Sequence, residues 1–121
     1  MTLKEAISLK KNSKYNNQKV VIDGIEFASK HEGYRYIELK YLERAGIISD
    51  LRLQVPFELI PTLRDEATGK VLEKRMKYIA DFTYMQNGKM IVEDAKGCRT
   101  DVFKIKKKLM LYKFNIQIKE V

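Results

Sequence analysis

The chain has 121 residues, 45% hydrophobic and 33% charged, enough for one domain with a modest core and too apolar for a disordered charged tail. No apolar run is long enough to span a membrane, and the opening MTLKEAISLKKNSK lacks the apolar stretch of a signal peptide, so a cytoplasmic protein without a membrane partner is expected. One cysteine, Cys98, and one histidine, His31, exclude a disulfide framework and leave too few soft ligands for structural zinc.

The net charge of +8 is unevenly placed. Residues 1–19 carry +4, residues 99–121 carry +5, and the stretch between them is −1. Two basic ends around a near-neutral body point to a polyanionic partner, nucleic acid above all.

In chain order, residues 1–19 show no sustained period and read as a flexible basic segment, with a short helical piece at Leu3–Leu9. A single domain is expected over 20–121. Val20–Phe27 holds an Asp-Gly pair between two apolar runs, the signal of a two-residue hairpin. Ser29 suits a helix N-cap, and Tyr36, Leu39 and Leu42 recur at helical spacing before Gly46, which predicts a helix of about four turns. Leu51–Ile60 is extended in character, with Pro56 marking a bend, bulge or edge. Residues 62–73 contain the turn ATGK. Arg75–Met85 and Met90–Lys96 read as strands joined by a tight turn at Asn87-Gly88. Thr100 or Asp101 caps a second helix to about Tyr112, and Asn115–Val121 alternates as a final strand. The sum is a mixed α/β domain.

Asp81 lies inside the apolar stretch Tyr78–Tyr84, where a carboxylate is costly without a donor or a cation. It stands six residues before Asn87, and Asp94 six after Gly88, so a two-residue turn sets the two directly opposite. Facing carboxylates repel, which favours a hard divalent cation between them. Alternation puts Lys96 on the Asp94 face, with Glu93 and Ala95 on the other. Such a set suits phosphodiester hydrolysis: the cation offsets phosphate charge and acidifies water, and the lysine positions that water. Glu32, heading the Tyr36 stripe, is the third candidate carboxylate. Each residue also has a plainer reading. Glu32 completes a capping box with Ser29, Asp81 pairs with Arg75 or Lys77, and Asp94 and Lys96 form a surface ion pair. Gln54 either faces the site or is a half-buried amide.

At these residues the chain resembles the PD-(D/E)XK nuclease superfamily, whose order is a helix with Glu, a strand with Asp and a hairpin partner strand with (D/E)-X-K. That order maps onto Glu32, Asp81 and Asp94-Ala95-Lys96. The blocks FASKHEGYRYIELKYLERAGII, LRLQVPFELI, YIADFTY and IVEDAKG, followed by a Lys-rich helix, are similar to a small phage-borne branch related to Holliday-junction resolvases. Ala80 stands where the superfamily often has Pro, and Glu93 is an alternative to Asp94. The resemblance implies a restriction-endonuclease-like core with a central mixed β-sheet flanked by helices. It implies a Mg²⁺-dependent DNA endonuclease (Mn²⁺ as substitute) acting on branched DNA, with Glu32, Asp81, Asp94 and the Ala95 carbonyl as metal ligands. Lys96 would orient or deprotonate the attacking water. Symmetric cutting of a junction implies a homodimer, and a phage origin implies the cytoplasm of a bacterial host. A different nuclease specificity and a non-catalytic DNA-binding module are the alternatives.

In the Lys-rich helix, Val102, Ile105, Leu109 and Tyr112 recur at spacings of three and four and are expected to pack on the sheet. Arg99, Lys104, Lys107 and Lys108 fall off that stripe and are the expected DNA contacts.

Overall fold

The computed structural model describes residues 8–10, 18–95 and 99–121, the first three by backbone alone. The chain divides into two compact units, one ending at Ile48 and one running from Ser49 to Val121.

The first unit is an antiparallel sheet in the order β1 (Ser8–Lys10), β2 (Lys19–Ile22), β3 (Ile25–Phe27), followed by helix α1 (Lys30–Arg44). Asp23 and Gly24 both have positive φ, 52° and 76°, as a two-residue hairpin turn of this twist requires. β1 corrects the reading of residues 1–19. Ser8–Lys10 pairs with Lys19–Val21 because the two stretches meet in antiparallel register, so the described end of the expected helical piece is a strand. The rest of that piece lies outside the described residues. Ser29 caps α1 as expected, its Oγ accepting the Glu32 backbone N–H at 3.2 Å. Val20, Ile22, Phe27, Tyr36 and Leu39 are buried. Gly33 allows the close approach of α1 to β2: a Cβ there would lie 2.6 Å from Val20 Cγ2 and 2.8 Å from Ile22 Cδ1.

The second unit is a sheet in the order β4 (Ser49–Ile60), β7 (Met76–Gln86), β8 (Lys89–Asp94), β9 (Lys119–Glu120). β4, β7 and β8 are antiparallel, and β9 joins β8 in parallel, so the sheet is mixed. β4 is an edge strand, which is how Pro56 fits within it opposite Ile79. A small hairpin of β5 (Leu63–Arg64) and β6 (Val71–Glu73) occupies the stretch read as a turn. Asp65 organises that turn by accepting the Ala67 and Thr68 backbone N–H groups, each at 2.9 Å.

Helix α2 (Asp101–Phe114) begins at the Thr100 cap, whose Oγ1 accepts the Phe103 N–H at 3.1 Å. It ends at Asn115 in the left-handed conformation, φ 55°. The final strand is therefore shorter than Asn115–Val121. The face of α2 that packs also differs from the expected stripe. Met110 is fully buried with Leu59, Tyr78, Ala80, Val92 and Ile118, and Phe103 packs at the margin of this cluster. Val102, Ile105 and Tyr112 are exposed. Leu109 packs against the cluster beside Phe103, so of the expected stripe one residue, Leu109, reaches the core.

Candidate functional site

β7 and β8 meet through Asn87 and Gly88, whose φ values of 53° and 75° match the tight turn expected there. Their register runs from Gln86↔Lys89 to Phe82↔Glu93, ending one residue short of Asp81 and Asp94 on the two strands. Both acids are buried, 2% and 1% exposed, so each must have donors.

Ala80 through Tyr84 are all buried, so β7, a central strand, is covered on both faces there. The β4–β7 register is the same on both sides of Gln54, Leu53↔Phe82 and Val55↔Ala80, and Gln54 between them has φ 52°. Next to it the Asp81 carboxylate accepts two hydrogen bonds. The Ala95 backbone N–H donates to Oδ2 at 2.8 Å, and Gln54 Nε2 donates to Oδ1 at 3.3 Å. Asp81 thus ties the end of β8 to β4 across β7. Gln54 was singled out from the sequence, and the structure brings it to Asp81.

Asp94 is held by a residue that sequence reasoning did not name. The Tyr78 hydroxyl donates to Asp94 Oδ2 at 2.8 Å inside the core cluster. Burial pushes the Tyr78 phenol well above its ordinary range, the hydrogen bond to Asp94 adds to this, and the charges of Asp94, Asp81 and Glu120 act the same way. The phenol therefore stays protonated and keeps its donor role. Glu93, fully buried, accepts from the Tyr84 hydroxyl, and Lys119 Nζ lies 3.9 Å from its Oε2 across the parallel pairing with β9. Tyrosines in the strand that carries Asp81 were the available signal, because buried carboxylates need donors and these were the nearest in sequence.

The basic residues expected to meet DNA lie on or just before α2, but some of their charge is already engaged. Arg99 Nε and Lys107 Nζ each lie 2.9 Å from the Glu120 carboxylate. The Lys107 hydrogen bond, then the charge of Arg99, hold Glu120 below the usual carboxylate range. Lys104 is 3.9 Å from Asp101, and Lys108 has no ion pair among the described residues.

Glu32 belongs to the first unit, where it is buried in the first turn of α1. Lys96 lies outside the described residues. Among the described residues, no group of three His, Cys, Asp or Glu side chains is gathered to hold a metal ion. What the second unit does bring together is Asp81, Asp94, the Ala95 backbone and Gln54. The atoms there able to ligate a metal are carboxylate, amide and carbonyl oxygens, a chemistry suited to a hard cation rather than zinc.

Fold and site together define an α/β protein whose mixed sheet buries a pair of aspartates beside a hairpin. The chain belongs to the family described as a protein of unknown function (DUF1064), whose profile matches residues 12–120. No curated protein and no solved structure matches it. No helix among the described residues is long and apolar enough to cross a membrane.

Proposed function

We propose that this chain is a divalent-metal-dependent endodeoxyribonuclease acting on branched DNA. The observation that supports it most is the buried pair Asp81 and Asp94 on adjoining hairpin strands, with Asp81 bonded to the Ala95 N–H immediately before Lys96. A fold that takes two carboxylates out of water at neighbouring positions bears a cost that a bound cation offsets.

In this reading Asp81, Asp94 and the Ala95 carbonyl would hold Mg²⁺, or Mn²⁺ in its place. Glu32 enters as a third carboxylate from the order of sequence blocks alone. The bound ion would offset phosphate charge and acidify a water molecule. The protein's own part is orientation. Gln54 and the Ala95 N–H fix both oxygens of Asp81, and Tyr78 fixes Asp94. Lys96, one residue beyond Ala95, would orient the attacking water or take its proton. Lys104 and Lys108 supply exposed positive charge for the phosphate backbone. Cutting two strands symmetrically calls for two copies of a single-site chain, hence a homodimer on the substrate.

The test is incubation of the protein with end-labelled four-way junction and matched linear duplex, each with Mg²⁺ and with EDTA. Metal-dependent cutting of the junction is expected, reduced at least ~100-fold by Asp94→Asn while DNA binding persists. Cutting of linear duplex alone moves the assignment to another nuclease specificity. Binding without cutting under any divalent ion identifies a non-catalytic DNA-binding module.

A further inference from the structure

Three residues of the apolar stripe expected in the core face outward, and the fourth, Leu109, packs against the core cluster. Val102, Ile105 and Tyr112 are 57%, 52% and 89% exposed, and Leu109 between them is half-buried. Their spacing of three, four and three is the a/d pattern of a helix seam. The opposite side of α2 is already satisfied by Met110 and Phe103 against the sheet. Helix α2 therefore packs through Phe103, Leu109 and Met110 and leaves Val102, Ile105 and Tyr112 open among the described residues.

We infer that the open face of α2 is a docking seam for an acidic amphipathic helix of a partner protein. Charge selects this occupant. α2 carries five lysines against Asp101 alone, a net +4. In heptad terms Lys106 and Lys108 flank the seam on its two sides, and neither has an ion pair among the described residues. A partner helix with glutamates or aspartates beside its apolar stripe would meet both flanks with opposite charge. A second copy would set +4 against +4. Duplex DNA would satisfy the lysines but gain nothing from valine, isoleucine and leucine, which have no partner on a phosphate backbone. The helix has 14 residues, about 21 Å, so the seam is short and the complex would be a transient one. The inference does not depend on the nuclease reading.

The test uses the full chain and two fluorescein-labelled synthetic helical peptides, both with leucine at the seam positions. One has glutamate on both flanks and the other lysine. Anisotropy titration should show the acidic peptide binding at least about tenfold tighter than the basic one. Ile105→Ser with Tyr112→Ser should weaken it about tenfold or more, with an unchanged melting curve because both residues are exposed. Lys106→Glu with Lys108→Glu should reverse the preference between peptides, which tests the seam without removing its apolar residues. Equal affinity for the two peptides, or affinity that neither double variant alters, overturns the inference. So does a dimer in sedimentation that Ile105→Ser with Tyr112→Ser dissolves, since the occupant is then a second copy. Loss of duplex DNA affinity in that variant, with peptide binding intact, overturns it in favour of nucleic acid.

Discussion

Replacing Tyr78 with phenylalanine removes one oxygen from the middle of the site and little else. The hydroxyl donates to Asp94 Oδ2 at 2.8 Å, and both residues are almost completely buried. The ring would keep its packing against Phe57 and Phe103, whose centroids lie 6.5 and 6.3 Å away, so the change opens almost no cavity. What is lost is a hydrogen bond to a carboxylate that water does not readily replace. Such bonds contribute about 1.5–3 kcal/mol, and a buried acceptor left without its donor lies at the upper end. Tyr78→Phe should therefore destabilise the protein by about 2 kcal/mol, a fall in Tm on the order of 5–10 °C for a chain of this size. Urea denaturation of Tyr78→Phe, Asp94→Asn and the double variant would isolate the pair. The coupling between the two positions should exceed about 1 kcal/mol, because either substitution alone already breaks the same bond. A Tyr78→Phe protein as stable as wild type, with no coupling to Asp94, would refute the argument that Tyr78 holds Asp94.

The remaining predictions concern the packing of each unit. Gly33→Ala should cost up to about 2 kcal/mol by thermal melt, because overpacking of about 1–3 kcal/mol against Val20 and Ile22 offsets or outweighs the ~1 kcal/mol gained in helix propensity; a stabilised variant would mean that the approach of α1 to β2 is looser. Burial and then the hydrogen bond to Asp23 push the Tyr36 phenol up from its ordinary value near 10 to about 12. The unfolded chain thus loses that proton first, so stability should be intact below pH 10 and decline toward pH 12, less steeply in Tyr36→Phe; a flat profile in wild type would contradict this. Met110→Ala, at a fully buried position, should cost about 2–5 kcal/mol, whereas Tyr112→Ser should stay within ~0.5 kcal/mol. Equal losses at the two positions would mean that α2 packs on the other face.

Local chemistry was the most legible part of this chain. Asp23-Gly24 and Asn87-Gly88 specify tight hairpins because both positions of each turn need positive φ, and both hairpins are present. Ser29 and Thr100 mark helix starts because their hydroxyls accept otherwise orphaned N–H groups. The face of α2 was not legible, since apolar residues lie on two sides of it and periodicity cannot say which side meets a sheet. Nor was β5–β6, whose strands are too short for alternation to register. At the site, the turn fixed the β7–β8 register as far as Phe82↔Glu93, beside Asp81 and Asp94. Their hydrogen-bond partners were not readable, because Gln54 reaches Asp81 from β4 and Tyr78 reaches Asp94 from 16 residues away in sequence. Tyr78 was legible only as one of two tyrosine donors in β7, and alternation alone does not pair it with Asp94 as the folded chain does.

The central claim, that Asp81 and Asp94 bind a hard cation, is tested most directly by titrating Mg²⁺ and Mn²⁺ into wild type and an Asp81→Asn, Asp94→Asn double variant, followed by calorimetry and thermal melts. Binding to the folded state alone raises stability by about 2.7 kcal/mol at a hundred times Kd. Wild type should show saturable heat and a rising Tm with either ion. The double variant, without the carboxylate charges, should show neither. A wild-type protein indifferent to both ions, or a double variant that responds equally, would contradict the account.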